Sequence, residues 1–288
     1  NNIIYEIKNG KGFIKEYYLG NLIFDGEYLN GRRNGQGKEY SQNQLVFEGE
    51  YKNDKRNGKG TEYYENGRIS FEGEYLYGYR RKGKNYTYNG FEYEGEFLFN
   101  KKWNGKGYDA NGNIIYEINN GNGKVKEYDM SNGGFIFEGE YLNGKKNGKG
   151  KIYRAGEVVY DGEFLNGKKN GKGKEYYDYH LVFEGEYIDG KVNGKGKEYY
   201  PGGGLKFEGE YINDKRNGKG KEYYNNILEF EGEYINGKRN GKGKEYYFDK
   251  LVFDGEYLNG ERWNGKVRDY NDDNELINER EYLCGKIK

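Results

Sequence analysis

One five-residue pattern constrains this chain more than anything else in it. An aromatic residue, an acid, Gly, Glu and a second aromatic recur ten times, with the first ring at Phe24, Phe47, Phe71, Tyr93, Phe137, Tyr160, Phe183, Phe207, Phe230 and Phe253 and a usual step of 23 or 24 residues. A fixed period of this length is the mark of one supersecondary unit repeated, each copy too small to bury its apolar face except against its neighbours.

Inside the pattern the period is two. In Phe183-Glu184-Gly185-Glu186-Tyr187 the rings and the glycine share one face of an extended strand and both glutamates share the other, an arrangement that helical spacing would scatter. Each such segment leads into a turn such as Asn166-Gly167-Lys168-Lys169-Asn170-Gly171 and a second segment such as Gly171-Lys172-Gly173-Lys174-Glu175-Tyr176-Tyr177. Asn-Gly and Asp-Gly pairs supply the positive φ of tight hairpin turns. Gly185 and Gly194 are too regular to be linker and are expected to admit the ring of a neighbouring repeat. The predicted fold is therefore all-β, an elongated repeat solenoid of stacked antiparallel β-hairpins, since a lone hairpin is not stable in water. With roughly 4.8 Å between strands and two strands per unit, about twelve units would extend on the order of 115 Å. A compact globule of this length has a radius of gyration of roughly 19 Å.

Composition sharpens the reading. A chain with 33% charged residues, 50 glycines and a mean hydropathy of -1.24 resembles a disordered one, but 18% of it is aromatic, and aromatics supply buried area efficiently. Lys plus Arg and Asp plus Glu are both 48, so no bulk field steers the protein toward nucleic acid. The one cysteine, Cys284, leaves no disulfide framework or thiolate metal cluster, and a reducing, cytoplasmic setting is expected. There is no run of 18 apolar residues, and Asn1 to Lys11 lack the order of a signal peptide.

The register breaks twice. Lys102-Trp103-Asn104-Gly105 and Arg262-Trp263-Asn264-Gly265 read as turns with one residue more than their sisters, and Tyr79-Arg80-Arg81-Lys82-Gly83 is a third deviant turn. The segment Asn2 to Ile7 is similar to Asn113 to Ile118, so a higher-order unit restarts near residue 111. A single array over 1–288 follows: an N-terminal degenerate or capping repeat at 1–23, a first regular block at 24–110, a degenerate repeat at 111–136, a second regular block at 137–265 and a C-terminal capping repeat at 266–288. The middle interruption is read as a kink or change of twist.

The stretch Phe137 to Gly150, Phe-Glu-Gly-Glu-Tyr-Leu-Asn-Gly-Lys-Lys-Asn-Gly-Lys-Gly, and its nine sisters resemble MORN repeats, the membrane occupation and recognition nexus family. Ten copies in register cover nearly the whole chain. The resemblance implies a curved, groove-like antiparallel sheet and a role in scaffolding, protein binding or membrane attachment. Tyr141 stands where many members have tryptophan and Asn147 where they often have histidine, and Tyr63-Tyr64-Glu65-Asn66-Gly67 is similar to the bacterial antitoxin-like variant.

Two ring rows are candidates for core or contact surface. The first row reads as a core ladder. The second, Tyr28, Tyr51, Tyr75, Phe97, Tyr141, Phe164, Tyr187, Tyr211, Tyr234 and Tyr257, divides between core and a partner groove, because tyrosine suits sites with one apolar side and one wet end. Lys55, Arg56, Lys168, Lys169, Lys215, Arg216, Lys238 and Arg239 read as a basic turn edge, the feature that binding of anionic lipid headgroups would need. Paired carboxylates such as Glu184 and Glu186 read as a solvated ladder balanced by Lys172, Lys174, Lys195 and Lys197, because every repeat carries them and an enzyme needs one pair. Gly218-Lys219-Gly220-Lys221 lacks the strand-then-helix setting of a phosphate loop. His180, the one histidine, reads as a loop residue, and Pro201 opens a longer turn. The expectation is a non-enzymatic scaffold without cofactor, metal or small-molecule substrate, binding protein partners or itself through an aromatic-lined groove. The alternative is a peripheral membrane adaptor.

Overall fold

The computed structural model describes residues 6–88, 90–128 and 134–288. Among them are twenty-six strands, β1 (Glu6–Lys8) to β26 (Lys286–Ile287), and no helix. Neighbours in the chain pair antiparallel throughout, as an eleven-stranded sheet from β1 to β11 (Ile114–Ile118) and a fifteen-stranded sheet from β12 (Gly123–Tyr128) to β26. The stacked-hairpin fold expected from the period of two is the fold observed. Asn2 to Tyr5, part of the segment read as an N-terminal cap, and Asp129 to Gly133 lie outside the described residues. The chain divides into two units, Asn1–Lys146 with Arg154–Gly156, and Asn147–Tyr153 with Glu157–Lys288.

In the second unit the hairpin of β19 (Leu205–Ile212) and β20 (Lys215–Tyr224) shows how a repeat is built. Asn213 and Asp214, both at positive φ of 50° and 66°, make the turn. Phe207 lies opposite Glu222, Gly209 opposite Gly220, and Tyr211 opposite Arg216. Between those last two rungs one strand has Glu210 alone while the other has Asn217, Gly218 and Lys219, so the second strand bulges. Gly218 takes φ +80° there, and a Cβ on it would lie 2.1 Å from Glu210 Oε2.

The paired glycines make room for rings. A Cβ on Gly220 would sit 2.4 Å from Phe207 Cζ and 3.2 Å from Tyr234 Cε2, so the phenylalanine ring lies down across bare backbone. Phe207 then meets Tyr211 of its own hairpin edge-on at 5.6 Å and Tyr234 of the next at 5.3 Å. In the first unit Phe47 does the same with Tyr51 at 5.6 Å and Tyr75 at 5.1 Å. Such edge-to-face pairs each contribute about 0.5–1.5 kcal/mol beyond area burial, and those of Phe207 with Tyr234 and Phe47 with Tyr75 also couple a hairpin to its neighbour.

Two expectations need correction. Gly185 makes room for Phe183 of its own repeat, and Gly194, at φ +115°, for the Glu186 carboxylate rather than for any ring. The turns at Trp103, Trp263 and Arg81 carry a shorter bulge, not an extra residue. Gly105, Gly265 and Gly83 each take the paired-glycine rung, opposite Gly95, Gly255 and Gly73, with two residues rather than three between that rung and the cation opposite the second ring.

Gly220→Ala should therefore cost about 1–3 kcal/mol, the usual penalty of overpacking. Gly202→Ala, where a Cβ meets nothing within 4 Å, should be neutral. Urea unfolding of both variants checks this, and equal stability would show that the rings do not need bare backbone beneath them.

Candidate binding faces

The first ring row is buried in all ten repeats, with Phe183 the most exposed at 8%. The second row is not the open groove it was expected to be. Tyr51, Tyr75, Phe97, Phe164, Tyr187, Tyr211, Tyr234 and Tyr257 are buried, and Tyr28 and Tyr141 are half-buried. Three of their hydroxyls are met by carboxylates, Tyr75 donating to Glu62 at 2.8 Å, Tyr211 to Glu198 at 2.7 Å and Tyr234 to Glu222 at 2.8 Å, while those of Tyr51, Tyr187 and Tyr257 are buried without a hydrogen-bond partner among the described residues.

Those glutamates belong to a ladder that closes the ring face. In every repeat but that of Phe183, which has Val192 at the position, the cation after the turn folds over the first-row ring: Arg56 sits 4.1 Å above Phe47, Lys169 4.4 Å above Tyr160, Arg216 4.0 Å above Phe207 and Arg239 4.0 Å above Phe230. Arg33, Arg56, Arg216 and Arg239 then each bridge two glutamates, and Arg80 and Arg262 each meet one. In the second unit the run is Glu198, Arg216 (2.8 Å), Glu222 (3.1 Å), Arg239, Glu245 (3.1 Å) and Arg262. In the first unit it is Glu16, Arg33 (2.9 Å), Glu39 (3.7 Å), Arg56 (2.5 Å), Glu62 (3.0 Å) and Arg80. This corrects the basic edge. Arg56, Lys169, Arg216 and Arg239 are drawn onto the ring face and neutralised, leaving Lys55, Lys168, Lys215 and Lys238 exposed.

The opposite face is open. In the second unit it holds a groove of about 900 Å³ running across the strands, floored by glycine backbone from Gly173 to Gly243 and walled by lysines and acids. A smaller one of about 450 Å³ in the first unit runs past Gly37, Gly49 and Gly60. The carboxylates of the larger groove are held locally. Glu184, Glu208 and Glu231 accept hydrogen bonds from Tyr199, Tyr223 and Tyr246 at 2.7–2.8 Å and lie 3.5–3.7 Å from Lys174, Lys197 and Lys221. Glu186 and Glu233 accept the backbone N–H of Lys195 and Lys242 in the bulges, both at 3.0 Å. So the second acid of the pattern caps a bulge, a role the expectation of lysine balance did not include.

One buried acid carries no sequence signal. Glu92 is 3% exposed and bonded to Lys102, Tyr116 and Asn85. Glu229, at the same place before its ring, is exposed. His180 and Cys284 are exposed. Among the described residues no group of three His, Cys, Asp or Glu could hold a metal ion.

The family model described as MORN repeat matches residues 24–46, 47–67, 137–156, 160–178, 183–205, 207–226 and 230–252, together over half of the chain. No curated protein matches significantly. Among solved structures, "Crystal Structure of TcdB2-TccC3-Cdc42" aligns over 95% of this chain at 9% identity and a TM-score of 0.20, and "Crystal Structure of TcdB2-TccC3" over 95% at 11% and 0.20. The chain spans 18% of the length of each.

Two sets of shifted groups give opposite pH limits. Burial is the largest single influence on the Glu62, Glu198 and Glu245 carboxyls and pushes them upward, but the hydrogen bonds and charges of the surrounding arginines, with tyrosine hydrogen bonds, together outweigh it and leave all three below the ordinary value. Burial, then the bonds to Glu184, Glu208 and Glu231, pushes Tyr199, Tyr223 and Tyr246 up to about 12. Depressed carboxyls stabilise the fold above pH 4.5 and lose that contribution as pH falls through their folded values; raised phenols stabilise it below pH 10 and lose it as pH rises toward 12. Thermal midpoints should thus decline on both sides of a plateau, and replacing the three tyrosines by Phe should shrink the decline between pH 10 and 12. An unchanged alkaline limb in that variant would show that these phenols are not linked to stability.

Proposed function

This chain belongs to the MORN repeat family, and from that premise we propose that it is a non-enzymatic scaffold that takes a protein partner along the open face of its second unit. The observation that carries the reading is the contrast between faces. The rings, the best source of binding energy in composition, are roofed by the arginine and glutamate ladder, whereas the groove of about 900 Å³ opposite them is uncovered. Ligand sites are concave surfaces with polar groups at their walls, and this one runs along consecutive hairpins as solenoid binding surfaces do. The same donors recur in every hairpin, so no single pair is set apart for chemistry.

Attachment to an anionic membrane through the turn edge is the second reading. It rests on Lys55, Lys168, Lys215 and Lys238, which remain exposed after their arginine and lysine neighbours have turned onto the rings. No helix among the described residues is long and apolar enough to cross a membrane. The proposed setting is cytoplasmic, either free or at the margin of a larger assembly.

Site-specific photocrosslinking separates the two. A benzophenone side chain in place of Lys197 or Lys221 should capture a partner from the native source, while one in place of Lys168 or Lys238 should not. Capture from the edge positions alone, together with sedimentation on phosphatidylserine vesicles that vanishes with salt, would replace the scaffold reading by the membrane one.

A further inference from the structure

The groove of the second unit is asymmetric in a way that specifies its occupant. Lys174, Lys197 and Lys221 on one wall are paired with acids, but Lys172, Lys195, Lys219 and Lys242 on the other have no ion pair or side-chain hydrogen bond among the described residues. Their backbone N–H groups are engaged instead: those of Lys172, Lys195 and Lys242 are given to Glu163, Glu186 and Glu233 at 3.0–3.2 Å. The bulge therefore fixes Lys172, Lys195 and Lys242 by the main chain and leaves their ammonium groups without an ion pair, while the carboxylate that holds each already has a donor. The side chains of all four lysines are exposed.

Beside this row runs a second one. Ile188, Ile212, Ile235 and Leu258 alternate with the buried Tyr187, Tyr211, Tyr234 and Tyr257, so they stand on the groove face, two residues from the acids that cap the bulges. They are 53%, 50%, 52% and 43% exposed, as a stripe of aliphatic side chains with no cover. Two parallel rows thus run across consecutive hairpins at one common interval: an aliphatic one, and one in which the unpaired lysines alternate with Glu186, Glu210 and Glu233 of the opposing strands.

That interval is two strand spacings, roughly 9.6 Å. A fully extended strand turns successive odd-numbered steps to opposite sides, so every third residue faces away and the match fails. An α-helix returns to the same face after seven residues, about 10.5 Å, and drifts by roughly 3 Å over the four lysines. Polyproline II advances roughly 9.3 Å in three residues and returns each third residue to the same side, so it stays within about 1 Å over the same distance. We propose that the groove binds an acidic, proline-rich peptide segment in the polyproline II conformation, with a carboxylate at every third residue against the free lysines and an aliphatic side chain in each triplet against the Ile and Leu stripe. A phosphate polymer matches the charge but offers nothing to the apolar row. This rests on the scaffold reading and names the partner chemistry of that same face.

The probe is a fluorescein-labelled peptide of four Glu-Leu-Pro triplets, followed by anisotropy on the intact chain. It should bind, and a peptide of identical composition with the acids at irregular spacing should bind at least tenfold more weakly. The double variants Lys195→Gln with Lys219→Gln, and Ile188→Ser with Ile212→Ser, should each weaken the regular peptide at least tenfold with an unchanged thermal midpoint. Equal binding of the two peptides to the unmodified protein, no binding, or indifference to either double variant would overturn the proposal. So would tighter, lysine-dependent binding of polyphosphate. Loss of the peptide result with groove crosslinks retained removes this ligand class alone; loss of both removes the face.

Discussion

Everything in this fold depends on an aromatic ring lying flat on backbone that has no side chain. The contact of Phe207 with Gly209 and Gly220, where a Cβ would come within 2.4–2.7 Å of the ring, is what lets a single-layer sheet bury anything at all. A sheet ordinarily needs a second layer to cover its apolar face. Here the rings are pulled down to the level of the glycines, and the second-row tyrosines close the gaps between them edge-on. What remains above each ring is thin enough for one guanidinium to cover, at 4.0 Å over Phe207 and Phe230. Glycine content and aromatic content, which look contradictory in the composition, are thus two halves of one contact.

Covering the rings with arginine raises a second requirement. A guanidinium over a ring gains only about 0.5–2 kcal/mol and loses hydration in return, so its charge must be met. Glu39, Glu62, Glu222 and Glu245 each meet such a charge twice, once from their own repeat and once from the next, as Glu222 does with Arg216 and Arg239. Isolated surface ion pairs add little, but a network in which every member is shared, with side chains only about a fifth to a third exposed, holds its members in place. The ring face is thus spent on stability, and in the proposed function recognition falls to the opposite face, where Lys172, Lys195, Lys219 and Lys242 have no ion pair among the described residues.

Much of this was legible in the sequence and some of it was not, for stateable reasons. The period of two placed Phe183, Gly185 and Tyr187 on one face, and that parity is enough to bury the second ring row; giving weight to the phenol's preference for water misplaced it, because the hydroxyl partners Glu198 and Glu222 lie on the preceding strand and come within reach only once the register of that pairing is known. The same parity extends through Arg216, Gly218, Gly220 and Glu222, so the inward turn of the arginine could have been counted out; treating turn residues as solvated hid it. The bulge could not be counted. Whether a turn holds two or three residues between its cation and its paired glycine is fixed by which glycine pairs, and Gly105 and Gly171 look alike until the register is known. Nor does the spelling Gly-Lys-Gly-Lys tell that the first lysine is free and the second paired, since that follows from where the tyrosine and bulge donors fall.

One hairpin shows what the ladder does by lacking a rung. At the position of Arg216 and Arg239 the preceding repeat has Val192, opposite Tyr187. Valine covers a ring less completely than a guanidinium, and Phe183 is the most exposed of the first row. It also has no charge to share. Glu198 at that end is met from the following repeat by Arg216 and by Lys206, and Lys169 meets Glu175 from within its own hairpin, so no ion pair of the ring face crosses from Glu175 to Glu198 by way of position 192. In a structure whose stability is a sum of nearest-neighbour terms, the Val192 hairpin is tied to the following repeat through Glu198 and Arg216, but its ring face meets the preceding repeat by ring contacts and the backbone ladder alone. The groove lysines on either side of it, Lys172 and Lys195, sit on the same two strands as this gap, so a stretch of the ring face without a crossing ion pair lies behind the open one.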